Sequence, residues 1–101
     1  MQTFYKKACD IYNHIYNRSM KFEWDENKND ANKAKHNVSF ELASKVFEYK
    51  KRKTVQDKRK NYGEERFITT GLADGLKLCV IFTMRGEYYR LISAWRTSQD
   101  D

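Results

Sequence analysis

Proline is absent from the 101 residues and glycine occurs only four times. Helix and strand ends must therefore be set by Asn, Asp, Ser and a few glycines, and neither a dinucleotide fingerprint nor a P-loop can be assembled. Two cysteines, Cys9 and Cys79, are too few for a disulfide framework or a Cys-based zinc site, and only His14 and His36 are there to assist them. They read as two structural thiols of a reducing compartment. The longest apolar run, Leu78 to Phe82, has a strand's length and falls far short of the ~20 residues a membrane span needs. Lys6 and Lys7 lead into Ala-Cys-Asp rather than the apolar stretch of a signal peptide. The expectation is a soluble, cytoplasmic protein with no membrane partner, no metal and no cofactor.

What is present is charge and aromatic surface. Residues of the hydrophobic class make up 40% of the chain and include two Trp, seven Tyr and six Phe, enough for the core of one compact domain. Charged residues reach 34%, above the usual ~25%, and 20 Lys and Arg against 14 Asp and Glu leave a formal charge of +6. That balance favours nucleic acid, an acidic protein or an anionic surface as partner.

The chain divides into recognisable pieces. Within residues 1–19, Phe4, Ala8, Ile11 and Ile15 recur at helical spacing, which predicts an N-terminal helical extension ahead of a domain over 20–101. Met20 to Asp25 alternates, with Phe22 and Trp24 to one side, as in a short strand or extended lead-in. Asp25 is the natural N-cap of a helix running to about His36, with Asn37 as its left-handed end. Ser39 caps a second helix whose stripe is Phe40, Ala43, Val46 and Phe47, and Glu41 suits its positive N-terminal end. Lys50 to Lys60 holds seven cations and one carboxylate, with a short strand expected near Thr54 to Gln56 and a solvated loop beyond it. Strands follow at Arg66 to Leu72, Leu76 to Thr83 and Glu87 to Arg96, joined by turns at Ala73-Asp74-Gly75 and Arg85-Gly86. Helices and strands in separate blocks predict an α+β fold: helices packed on a three- to four-stranded antiparallel sheet, with no C-terminal helix after the last strand.

Chemistry-bearing residues concentrate toward the C-terminus. On the last strand, alternation sends Tyr88, Arg90, Ile92, Ala94 and Arg96 one way and Tyr89, Leu91, Ser93 and Trp95 the other. If the sheet curves, Arg66 and Arg85 join Arg90 and Arg96, and four guanidinium groups near one face would grip phosphates while staying charged at physiological pH. The alternative is a set of separate surface ion pairs, such as Arg66 with Glu64 or Arg85 with Glu87. The basic run Lys51, Arg52, Lys53, Lys58, Arg59 and Lys60, flanked by Tyr49 and Tyr62, also fits the mix of cations and rings found in single-strand binders. His36 stands where a helix C-terminus favours a cation, so a cap competes with a catalytic role. Asp57, Glu64 and Glu65 are close enough in sequence to suggest metal ligands, yet their spacing fits a polar loop better.

Several stretches taken together resemble the BrnT toxins of type II toxin-antitoxin systems: Phe22-x-Trp24-Asp25-x-x-Lys28, Lys35-His36-x-Val38-Ser39-Phe40-Glu41-x-Ala43 with Val46-Phe47, Gly63-Glu64-x-Arg66, Phe82-Thr83-x-Arg85-Gly86, and Arg90-Leu91-Ile92-Ser93-Ala94-x-Arg96. The resemblance implies a RelE-like fold and a metal-independent ribonuclease that cuts RNA and so stops translation and growth. It also implies a BrnA-like antitoxin in a two-plus-two assembly, with operator DNA bound only through that antitoxin. Carried over by motif, Arg66, Arg85, Arg90 and Arg96 are the residues implied for catalysis, with His36 and Glu64 next; Lys28 joins the basic run as implied for RNA binding, and Ser93 is a further matching position. Departures from the family pattern are the extra residues 1–19, Asn37 where glycine is usual, Trp95 where arginine is frequent, and the missing C-terminal helix. The rival readings from the same basic face are a non-catalytic RNA- or DNA-binding module and an interaction protein for an acidic partner.

Overall fold

A computed structural model describes residues 5–6 and 20–98. The helix expected over 1–19 lies outside the described residues, apart from the backbone of Tyr5–Lys6, which forms a two-residue strand, β1. The other elements are β2 (Lys21–Asp25), α1 (Glu26–His36), α2 (Phe40–Ser44) running into a 3₁₀ turn (Lys45–Glu48), β3 (Lys53–Gln56), β4 (Phe67–Ala73), β5 (Leu76–Arg85) and β6 (Tyr88–Arg96). Strands β2 to β6 make one sheet in the order β2-β6-β5-β4-β3, and β1 pairs antiparallel on the outer edge of β2.

The α+β expectation holds, but the sheet has five strands rather than three or four and is mixed rather than antiparallel. β2 lies parallel to β6, with Lys21 facing Tyr88, Phe22 facing Tyr89 and Glu23 facing Arg90. Alternation in Met20 to Asp25 announces a strand, but a partner more than sixty positions away leaves no local trace. Among the described residues no helix follows β6.

Capping chemistry sets the helices as the sequence predicts. The Asp25 side chain accepts from the Asn27 N–H at 2.8 Å, and Asn37 ends α1 at φ 58° and ψ 34°. The Ser39 hydroxyl accepts from the Leu42 N–H at 3.0 Å, opening α2. Phe40, Ala43, Val46 and Phe47 are all buried. They pack with Phe22, Trp24, Leu78, Val80, Phe82, Leu91 and Ala94 into a single core on one face of the sheet. Phe47 meets Phe22 and Phe82 edge-on at 5.1 Å, an arrangement that adds to the roughly 1.5–3 kcal/mol each such buried side chain contributes.

Helix α1 has almost no apolar face and buries two asparagines instead. Asn32 donates to the carbonyls of Val38 and Ala94 at 2.9 and 2.7 Å and accepts from the Ala94 N–H at 3.2 Å. Its amide thus does for Ala94 what a neighbouring strand would do, beyond the point where β2 leaves the sheet. Asn29 accepts from the Phe40 N–H at 2.8 Å and donates to Glu41 at 3.1 Å, locking α1 to the start of α2. Satisfied buried amides fix a geometry that a slippery apolar contact would leave open.

Candidate active site

The helices cover one side of the sheet, so the side chains of interest are those that alternate to the other. In β5, Leu78, Val80 and Phe82 belong to the core, which sends Lys77, Cys79, Ile81, Thr83 and Arg85 to the open face. Cross-strand partners share a face. Arg90 pairs with Thr83 and with Glu23, and Tyr88 pairs with Arg85 and with Lys21. On the far side, Phe67 pairs with Phe82, so Arg66 one residue earlier continues the register to Thr83. A transverse line Arg66, Thr83, Arg90, Glu23 therefore runs from the residue leading into β4 across β5, β6 and β2 on the open face, with Arg85 one row beyond.

Contacts tie this line together. Glu23 Oε2 lies 3.6 Å from Arg90 Nη1 and 4.0 Å from Arg85 Nε, so one carboxylate oxygen holds two guanidinium groups side by side. The Thr83 hydroxyl donates to the Glu65 carbonyl at 2.6 Å, drawing the start of β4 onto the same row. Arg66 pairs with Glu64 at 3.0 Å and lies over the Tyr62 ring at 4.3 Å. The Arg66–Glu64 ion pair anticipated from sequence is present. Arg85, in contrast, reaches Glu23, while Glu87 takes Lys21 at 3.5 Å.

Arg96 does not join them. Ile81 faces Ser93 and Phe82 faces Leu91, so β6 carries one extra residue, Ile92, as a bulge. Beyond it the alternation inverts: Ala94 faces Val80 and Arg96 faces Leu78, both core residues. Simple alternation had put Arg90 and Arg96 on a common face, and the bulge is why they are not. His36 also stands apart, at the end of α1 beside the Trp95 ring at 6.4 Å between centroids. Trp95 is five residues along β6 from Arg90, roughly 16 Å at strand rise. Ser93 donates to Asn32 at 3.3 Å, and Lys28 is exposed on α1, on the helical side of the sheet.

The basic run splits by role. Arg52 donates to the hydroxyls of Thr54 and Thr69 at 3.0 and 3.2 Å and covers the Phe47 ring at 4.9 Å, so it is packed into the structure. Arg59 is bound to Asp57, whose buried carboxylate accepts from Arg59 Nε and Nη2 at 2.8 and 2.9 Å, the Arg59 N–H at 3.2 Å and the Tyr62 hydroxyl at 3.0 Å. The Arg59 side-chain bonds chiefly hold the Asp57 carboxyl well below the usual carboxylate range, against the opposing effect of burial. Asp57 also donates its N–H to the Arg66 carbonyl at 2.7 Å, so this knot organises the loop that carries Tyr62 and Arg66. Lys58, Lys60 and Lys51 are exposed, and Lys53 lies on β3 facing Thr70. Among the described residues no group of three or more His, Cys, Asp or Glu stands close enough to hold a metal ion.

Glu23 and Thr83 were not singled out from sequence. Alternation beside the buried Phe22 and Trp24 does give Glu23 its face, but only the parallel pairing with β6 brings it to the arginines. A family model described as ribonuclease toxin, BrnT, of type II toxin-antitoxin system matches residues 24–101. No curated protein matches the chain.

Proposed function

Since the chain belongs to the BrnT family of ribonuclease toxins of type II toxin-antitoxin systems, we propose that the arginine row on the open face of its sheet is the catalytic surface of a metal-independent endoribonuclease. The observation that carries this is the convergence of Arg85 and Arg90 on one oxygen of Glu23, with Arg66 in the same transverse line. Cleavage without a metal requires a 2′-hydroxyl to lose its proton, the phosphorus to carry extra negative charge, and the 5′-oxygen to leave. Arg66, Arg85 and Arg90 supply fixed, permanently charged donors for the second task, each worth roughly 3 kcal/mol of barrier. Glu23, largely enclosed beside two of them, is the carboxylate in position to take the 2′-proton; the 2′-oxygen bonds to phosphorus as the P–O5′ bond breaks, and water protonates the departing 5′-oxygen. Glu64 positions Arg66 from the side. Lys58 and Lys60 hold the flanking backbone of the RNA.

In this reading the fold is RelE-like, with residues 20–101 as the toxin domain and 1–19 as its extension. Family membership implies an antitoxin. The partner we expect is BrnA-like, in a two-plus-two complex that meets operator DNA through the antitoxin, and the free toxin cuts cytoplasmic RNA and halts translation. The test is incubation of the purified protein with RNA, with and without chelator. Chelator-insensitive cleavage by the wild type, lost in Arg85→Ala and Arg90→Ala, supports the proposal. Salt-sensitive binding with no cleavage would replace it with the non-catalytic binding module.

A further inference from the structure

A second feature lies away from the arginines, at the β4 edge of the sheet. β3 stops pairing with β4 at Lys53 and Thr70, which leaves the β4 edge at Gly71 and Leu72 uncovered. A cleft of about 480 Å³ opens there, lined by Tyr49, Lys51, Lys53, Leu72 and Lys77 together with the β4 backbone. Gly71 makes it possible: a Cβ at that position would come within 3.0 Å of the Tyr49 ring and 3.1 Å of Arg52 Cβ, so the ring seats directly on the strand. None of the three lysines has a carboxylate partner among the described residues. The volume is that of an ordinary small-ligand site, and a tyrosine ring and a leucine beside ammonium groups suit a nucleobase and its phosphates.

The cleft wraps the β4 edge: Lys53, Leu72 and Lys77 stand on the face of the arginine row, while Tyr49 packs against Gly71 from the helix side. Thr70 and Leu72 alternate with Arg66 on β4, and Lys77 alternates with Thr83 and Arg85 on β5. Leu72 is six residues from Arg66, about 20 Å along the strand. The ground between is uncharged, formed by Ile68, Ile81 and Val55, the last 61% exposed. A nucleic-acid strand following β4 thus meets no carboxylate between the two basic sites, and only its last base turns over the open β4 edge to reach Tyr49.

We propose that this cleft is a distal subsite for an unpaired RNA segment, with Tyr49 stacking on one base and Lys51, Lys53 and Lys77 holding phosphates, while the scissile bond lies on the arginine row. The inference rests on the ribonuclease reading and adds to it a substrate class, single-stranded RNA long enough to span both sites. A duplex is too wide and too stiff to lay a base on Tyr49.

The test is fluorescence anisotropy with 2′-O-methyl oligonucleotides, which lack the nucleophile, at lengths of two and eight nucleotides and with the eight-mer closed into a hairpin stem. The open eight-mer is expected to bind at least tenfold more tightly than the two-mer and than the stem. Lys53→Gln with Lys77→Gln should remove that gain and lower the salt slope by roughly 1.4, the share of two phosphate contacts on a single strand. Tyr49→Leu should weaken the eight-mer and leave the slope unchanged, with circular dichroism reporting the fold of each variant. Equal affinity for two-mer and eight-mer, or a double variant that keeps the gain, overturns the proposal. So does a double variant that binds RNA normally but loses an acidic protein partner, which would make the cleft a protein docking site. Cleavage of unmodified RNA, measured alongside, separates the two claims: cleavage without length dependence removes only the subsite. Length dependence without cleavage removes only the ribonuclease.

Discussion

Glu23 is the residue on which the catalytic reading turns, because it touches both Arg85 and Arg90. Glu23→Gln keeps the shape and removes the proton acceptor, so cleavage should fall about 100-fold or more while affinity for RNA holds or rises. Single-turnover rates and anisotropy on the same preparation check both halves. Asp57 makes a different prediction. Its folded-state carboxyl ionises well below the ordinary range, chiefly through Arg59, so it contributes stability that is fully present above about pH 4 and is lost as the pH falls further. Asp57→Asn should therefore melt below the wild type at pH 7, and the gap should shrink between about pH 4 and pH 2. A constant gap across that range in thermal melts would separate the Asp57 knot from acid stability.

At the scale of elements, two contacts decide how the sheet is held. Asn32 stands in for a strand next to Ala94, so Asn32→Ala leaves the Ala94 N–H and C=O and the Val38 C=O without it. The expected cost is roughly 2 to 3 kcal/mol. For a domain of this size that is a fall of order 10 °C in the melting temperature. Gly71→Ala should destabilise by about 1 to 3 kcal/mol, since the new methyl meets Tyr49, Arg52 and Val46 within 3.2 Å. The boundaries of these elements were largely legible in the sequence, because caps are local chemistry. Asp25, Asn37 and Ser39 each do what their side chains predict, and Asp74 and Gly75 take the positive φ values of 51° and 80° that the hairpin turn requires. The β6 bulge was not legible. One extra residue is a property of two strands in register, and neither strand's own sequence records it.

For the whole molecule, the site is legible in kind more than in arrangement. Arg66, Arg85 and Arg90 were candidates from sequence and share a face because three different strands happen to align them, while Arg96, equally good by pattern, is turned to the other side. Glu23 reaches the row only through the long-range β2–β6 pairing. The shape that results has helices on one face and Arg66, Arg85 and Arg90 on the other, so in the proposed reading RNA meets the open surface without disturbing the core.

The most direct measurement is the single-turnover cleavage rate of one unpaired RNA by the wild type, Arg90→Ala and Arg96→Ala, each verified as folded. Two arginines six positions apart on one strand give opposite outcomes if the open face does the chemistry. Arg90→Ala should slow cleavage by roughly 100-fold or more, and Arg96→Ala should stay within a few-fold of the wild type. Equal losses in both, or full activity in Arg90→Ala, would contradict the account.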